Sequence, residues 1–246
     1  MGHSTTRRLK LHTKPVHQGE QPPAEGTGAV WHHIDVFAAQ GSTRTIAHVE
    51  RELPPGGVSA YLAARRTGAR SFVLWADEHR EALSATVGTV SGANGVAVYQ
   101  VLGPQGELLC TIERAKAFSK GLRTRWTVSR PGEPDLVGYK GRLVWWCTWW
   151  LFSPLLPFVW VAAVFSMSDV PRSPGRIIWR TRGRALLELK LMWNEIHLHD
   201  PELDERVGAA LLALVRSFDR QSGGWDGWTE KQAQRISRAS RRNRPS

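Results

Sequence analysis

Two kinds of side chain are spaced in this sequence so that they could act together. Tryptophans crowd the stretch Leu143 to Ser168, LVWWCTWWLFSPLLPFVWVAAVFSMS, and basic residues flank it. Trp145, Trp146, Trp149, Trp150 and Trp160 carry amphipathic rings, which favour the boundary between headgroups and hydrocarbon. Arg123, Arg125, Arg130, Lys140 and Arg142 precede the run; Arg172, Arg176, Arg180, Arg182 and Arg184 follow it. Near an anionic bilayer each such cation contributes about 1 kcal/mol. The chemistry this predicts is non-covalent. The five tryptophans, with Leu151, Phe152, Leu155, Leu156 and Phe158, enter the bilayer. Arg123, Arg125, Lys140, Arg142, Arg172 and Arg176 meet its headgroups.

The run holds no ionisable side chain except Cys147, and its length can reach across or into a bilayer. A single span normally has more basic charge on its cytoplasmic side. Here the flanks tie, which predicts that both lie on one side and the run goes in and returns. Pro154 and Pro157 remove amide donors and mark the turn. Each half, 143–153 and 158–168, would rise ~16 Å as a helix, about half the hydrocarbon thickness. A shallow insertion along the interface fits equally well. The competing readings are a buried apolar layer of a soluble domain, and one kinked span between separate β-rich domains.

Other reactive groups are weaker. His197-Leu-His199-Asp200 puts two imidazoles on one strand face, but no second pair with ligand spacing accompanies them. His32-His33 points its rings to opposite faces if extended. Glu188 and Glu195 read as partners of nearby arginines. Neither a phosphate-cradling glycine loop nor a Gly-x-Ser-x-Gly elbow is present. The expectation is therefore no catalytic residue, no metal centre and no cofactor. Enzymatic activity is not expected, with movement of lipid between leaflets left open.

At 246 residues the chain can bury a real core, and its net charge of +11 calls for an acidic partner surface. Anionic membrane lipid is the first such partner, nucleic acid the second. Two cysteines, Cys110 and Cys147, are too few for a disulfide framework and point to reduced thiols and an intracellular protein. No apolar signal segment follows Arg7, Arg8 and Lys10, and Met1-Gly2 with Thr6 is only a short match to a myristoylation pattern. The expected location is the cytoplasmic face of a membrane. The oligomeric state stays open.

The elements that must position these groups are mostly strands. Residues 1–27 read as a disordered basic arm. Val30 to Phe37 reads as a first strand, Gly41 to Gly57 as loop, and Val58 to Arg66 as a short helix ended by Gly68. Phe72 to Trp75, Val96 to Leu102, Leu108 to Ile112, Arg125 to Ser129 and Leu136 to Tyr139 read as strands, joined in pairs by Gly103-Pro104-Gln105-Gly106 and Pro131-Gly132-Glu133-Pro134. After the run come Ile177 to Trp179 and a long strand with Leu187, Leu189, Leu191 and Trp193 on one face. The apolar parity then flips to Ile196 and Leu198, which requires a bulge or turn near Asn194-Glu195. Asp200 reads as an N-cap and Pro201 as the first position of a helix over 200–219. Its centre, Val207 to Val215, has no polar side chain, so it must be enclosed on every side. Leu203, Val207, Leu211, Leu214 and Phe218 are its expected core residues. Residues 221–246 read as a basic disordered tail ending in Lys231, Arg235, Arg238, Arg241, Arg242 and Arg244.

Strand–turn–strand units ahead of a capped apolar C-terminal helix resemble the tubby-like β-barrel superfamily, which includes LURP-one-related proteins and phospholipid scramblases. Val96 to Arg142 and Arg176 to Phe218 carry the resemblance. It implies a mainly β fold: a closed barrel over 28–220 around a buried hydrophobic helix, with 143–168 as an apolar insertion. It also implies a lipid-binding or scramblase-like function. No acidic calcium loop of the scramblase kind is present. The alternatives are a nucleic-acid-binding module using the basic tails, and an integral protein with one span.

Overall fold

Apolar and polar residues alternate along twelve strands, and that alternation builds the molecule. The computed structural model describes residues 6–13, 30, 32–37, 42–117, 119–140, 175–218 and 225–226. The strands are β1 (Arg7–His12), β2 (His32–Phe37), β3 (Thr43–Arg51), β4 (Ser71–Trp75), β5 (Leu83–Ala93) and β6 (Val96–Leu102). Then follow β7 (Leu108–Ala115), β8 (Arg125–Ser129), β9 (Leu136–Tyr139), β10 (Arg176–Thr181), β11 (Arg184–Lys190) and β12 (Glu195–Leu198). Helix α1 (Gly57–Thr67) links β3 to β4, and helix α2 (Glu205–Ser217) follows β12. Each strand pairs antiparallel with its sequence neighbours, and β1 closes the ring against β12. Closure leaves no unpaired sheet edge among the described strands.

Inward residues of all twelve strands join one apolar cluster, from Leu9 and Leu11 of β1 to Ile196 and Leu198 of β12. Helix α2 shares it. Val207 to Ser217 are all buried, and the helix packs against β1, β3, β5, β7 and β12. Leu203, Val207, Leu211 and Leu214 are buried as expected, while Phe218 is a partly buried C-cap. No helix among the described residues is long and apolar enough to cross a membrane. Cys110 is a free, fully buried thiol, and burial pushes its pKa up to about 12, so it is chemically inert.

Several expectations are corrected. Arg7–His12 is not part of a disordered arm but the strand that closes the barrel; its two inward leucines are too few to stand out among arginine, lysine and histidine. Thr43–Arg51 is a strand, not a loop, its alternation broken by a bulge at Ile46, between Thr45 opposite Asp35 and Ala47 opposite Ile34, and its end obscured by the glycine–proline turn after it. The helix begins later than Asp200. Asp200 instead accepts the Glu202 amide in a turn, and Asp204 is the N-cap, accepting from the Arg206 amide at 2.8 Å. The parity flip is made by a 3-10 turn, Leu191–Trp193, ended by Asn194 at φ +55°. Trp193 therefore leaves the core face and is exposed. Trp225 and Asp226, expected in a disordered tail, are buried.

Gly138 of β9 shows how closely the wall is packed. A Cβ there would stand 2.9 Å from Ile177 Cγ2 and from Cδ1 of the Trp179 indole. Gly138→Ala is expected to cost about 1–3 kcal/mol through overpacking, read as a lower urea midpoint at unchanged slope.

Candidate functional site

The register defines which side chains share a rim. Strand β8 begins with Arg125 opposite Tyr139, the last residue of β9, and β10 begins with Arg176 opposite Lys190, the last residue of β11. Strands β9 and β10 pair directly, Gly138 with Trp179 and Val137 with Arg180. The chain thus leaves β9 and re-enters β10 at one rim. Residues 143–168, with every side chain expected to insert, lie outside the described residues, as do Arg142 and Arg172.

The other four expected basic residues meet at this rim. The Arg123 guanidinium lies 4.6 Å from the centre of the Tyr139 ring. The Lys140 amide donates to the Thr124 carbonyl at 2.9 Å, tying the end of β9 to the start of β8. Arg125 projects outward beside Tyr139, since Trp126 and Val128 point in. Arg176 Nε stands 2.8 Å from Glu188 Oε1 as an ion pair, so part of its charge is neutralised within the sheet. Glu188 thus has the arginine partner expected for it, whereas Glu195 faces Lys10 at 3.8 Å.

Apolar groups accompany these cations. The described residues expose six large apolar side chains, and Leu122, Tyr139, Met192 and Trp193 are at this rim. Met192 and Trp193 are 78% and 65% exposed, on the 3-10 turn whose Leu191 amide donates to the Gly175 carbonyl, where the chain returns. Exposed apolar side chains beside arginines and a lysine suit an interface that is wet on one side and apolar on the other. The sequence parity had assigned Trp193 to the core, so this part of the rim was not legible there. Two surface grooves lie at the opposite rim, one lined by Arg7, Arg44 and Glu205, the other by Arg182, Arg184 and His199.

A buried ionic cluster underlies the rim where β9 ends and β10 begins, at the passage of β3 into α1. Arg51 Nε donates to Asp226 Oδ1 at 2.7 Å, and the Tyr61 hydroxyl donates to Oδ2 at 3.0 Å. Arg65 and Arg70 stand 3.4 and 3.7 Å from Oδ2. Burial lowers the Arg70 pKa to about 10, against the opposing pull of Asp226, and burial also raises that of Tyr61. Trp225 Nε1 donates to the Ala213 carbonyl of α2 at 2.7 Å, and its ring meets Phe72 edge-on. The inward-facing His32 lies near Trp225, and burial drives its pKa down to about 4. At the end of α2, Phe218 has the Arg70 and Arg114 guanidiniums each 4.1 Å from its ring centre. Nothing local in the sequence marks Asp226 as the centre of this cluster. Its partners are more than a hundred residues away.

Compared with known proteins, the chain matches no family model, no curated protein and no solved structure.

Proposed function

We propose that this protein is a membrane-associated, lipid-binding barrel of tubby-like, scramblase-like architecture acting at the cytoplasmic face of a bilayer. Helix α2 is then the central helix of that architecture. The segment 143–168 is its membrane insert, entering and leaving from one side. Trp145, Trp146, Trp149, Trp150 and Trp160 settle at the headgroup boundary, with Leu151, Phe152, Leu155, Leu156 and Phe158 deeper. Arg123, Arg125, Lys140, Arg142, Arg172 and Arg176 meet anionic headgroups.

One observation carries the reading: β9 and β10, which flank the run, are hydrogen-bonded neighbours in a closed barrel. A single crossing would put neighbouring strands of one folded unit on opposite sides of the bilayer. Departure and return at one rim support a re-entrant or interfacial insert instead. The exposed Met192 and Trp193 at that rim supply a second apolar contact.

Liposome flotation tests this. The full chain is expected to float with anionic vesicles, less with neutral ones. A variant with 145–165 replaced by a Gly/Ser loop is expected to stay down with an unchanged melting curve. If the full chain stays down, or the loop variant floats equally well, the proposal is wrong.

A further inference from the structure

Three histidines on three neighbouring strands form a row across the outer wall. His12 of β1 is in register with His33 of β2, and His33 with His48 of β3. All three face outward because Leu11, Ile34, Ala47 and Val49 beside them face the core. Asp35 follows His33 on the same face of β2, two residues along.

The donor atoms converge. Asp35 Oδ2 is 3.4 Å from His12 Nε2 and 3.9 Å from His33 Nε2. The three ligand atoms lie within 4.8 Å of one another, and the two imidazoles stack at 5.0 Å with planes 11° apart. An ion bound ~2.0–2.2 Å from each of three ligands needs donor separations of this order, after a small closure of the rings.

Two details go beyond coincidence of position. The Thr45 hydroxyl donates to Asp35 Oδ1 at 2.7 Å, fixing the carboxylate so that its other oxygen faces the histidines. Outer hydrogen bonds of this kind orient ligating carboxylates in metal sites. His12 Nε2 is buried and has no hydrogen-bond partner among the described residues, although Asp35 Oδ2 stands only 3.4 Å away. The nearby cation, Lys10, stands 3.8 Å from Glu195 on the next strand, which offsets its charge.

We infer that His12, His33 and Asp35 form a binding site for a divalent first-row transition ion of the zinc class. His12 Nε2, His33 Nε2 and Asp35 Oδ2 are the ligands. The two imidazoles are more than a third exposed, so the ion keeps a coordination position open to water or to a further ligand. Two histidines and one carboxylate suit zinc, iron, cobalt or manganese, not calcium or magnesium, which take oxygen ligands.

The test is calorimetric titration of the metal-free full chain with zinc, alongside cobalt binding read by visible absorption. One ion per chain is expected. His33→Ala and Asp35→Asn should weaken binding by at least roughly a hundredfold, and Thr45→Val by roughly tenfold, as loss of an outer partner does. His197→Ala, on a different strand, should leave it unchanged. Melting curves without metal check that each variant is folded. Zinc binding weaker than about 1 mM in the native chain overturns the site. So does equal affinity in the native chain, His33→Ala and Asp35→Asn, which would make the binding adventitious.

Discussion

Asp226→Ala is expected to lower the unfolding free energy by about 3–5 kcal/mol, the usual cost of removing one partner from a buried charge pair. The side chain is completely enclosed and is the counter-charge for Arg51, Arg65 and Arg70. Without it three guanidiniums face one another where water does not reach, and the hydrogen bond from the Tyr61 hydroxyl to Asp226 is lost. Arg44→Ala is the control. Arg44 also contacts a carboxylate, that of Glu205, but its side chain is 65% exposed. A pair so exposed contributes about 0–1 kcal/mol. Urea unfolding followed by tryptophan fluorescence measures both. A loss at Asp226 no larger than that at Arg44 would mean that residues 225–226 do not dock as described.

Two tryptophans should respond in opposite ways. Trp179 of β10 is fully buried, and Trp179→Ala is expected to cost about 3–5 kcal/mol, enough to unfold a marginal domain. Trp193, 65% exposed, lies on the 3-10 turn at the rim. Trp193→Ala should leave stability within about 0.5 kcal/mol. On the proposed function it should also weaken retention on anionic vesicles by roughly tenfold, since burying a large apolar side chain contributes about 1.5–3 kcal/mol. Unchanged vesicle retention would remove Trp193 from the contact surface without touching the fold.

What the sequence revealed of this fold depended on how loudly each strand spoke. Strands β6 to β9 were legible because valines, tyrosine and tryptophan alternate between turns rich in glycine and proline. Strand β5 was not: its fully buried inward residues include Ala85 and Val87, small side chains on a strand that helix α2 packs against. Strand β1 was hidden by its cations. The helix was legible from its apolar centre, but its start was not, since Asp200 and Asp204 both look like caps. The basic residues of the rim were found from their positions beside the run. The histidine row was not, because His12, His33 and His48 become neighbours only through the register of three strands. No one-dimensional spacing encodes that.

The closure of the ring by β1 also sets the order in which this chain can be finished. Strand β1 is made before every other strand of the wall, yet one of its two partners, β12, emerges from the ribosome after all the others. Until then Leu9 and Leu11 have a partner on one side only, and the apolar run must leave the ribosome in between. Closure of the ring is therefore limited by a very long-range pairing, a class of contact that forms slowly and leaves apolar surface open to aggregation. A nascent chain halted before residue 195 should consequently be captured by chaperones, and one released past Asp226 should not.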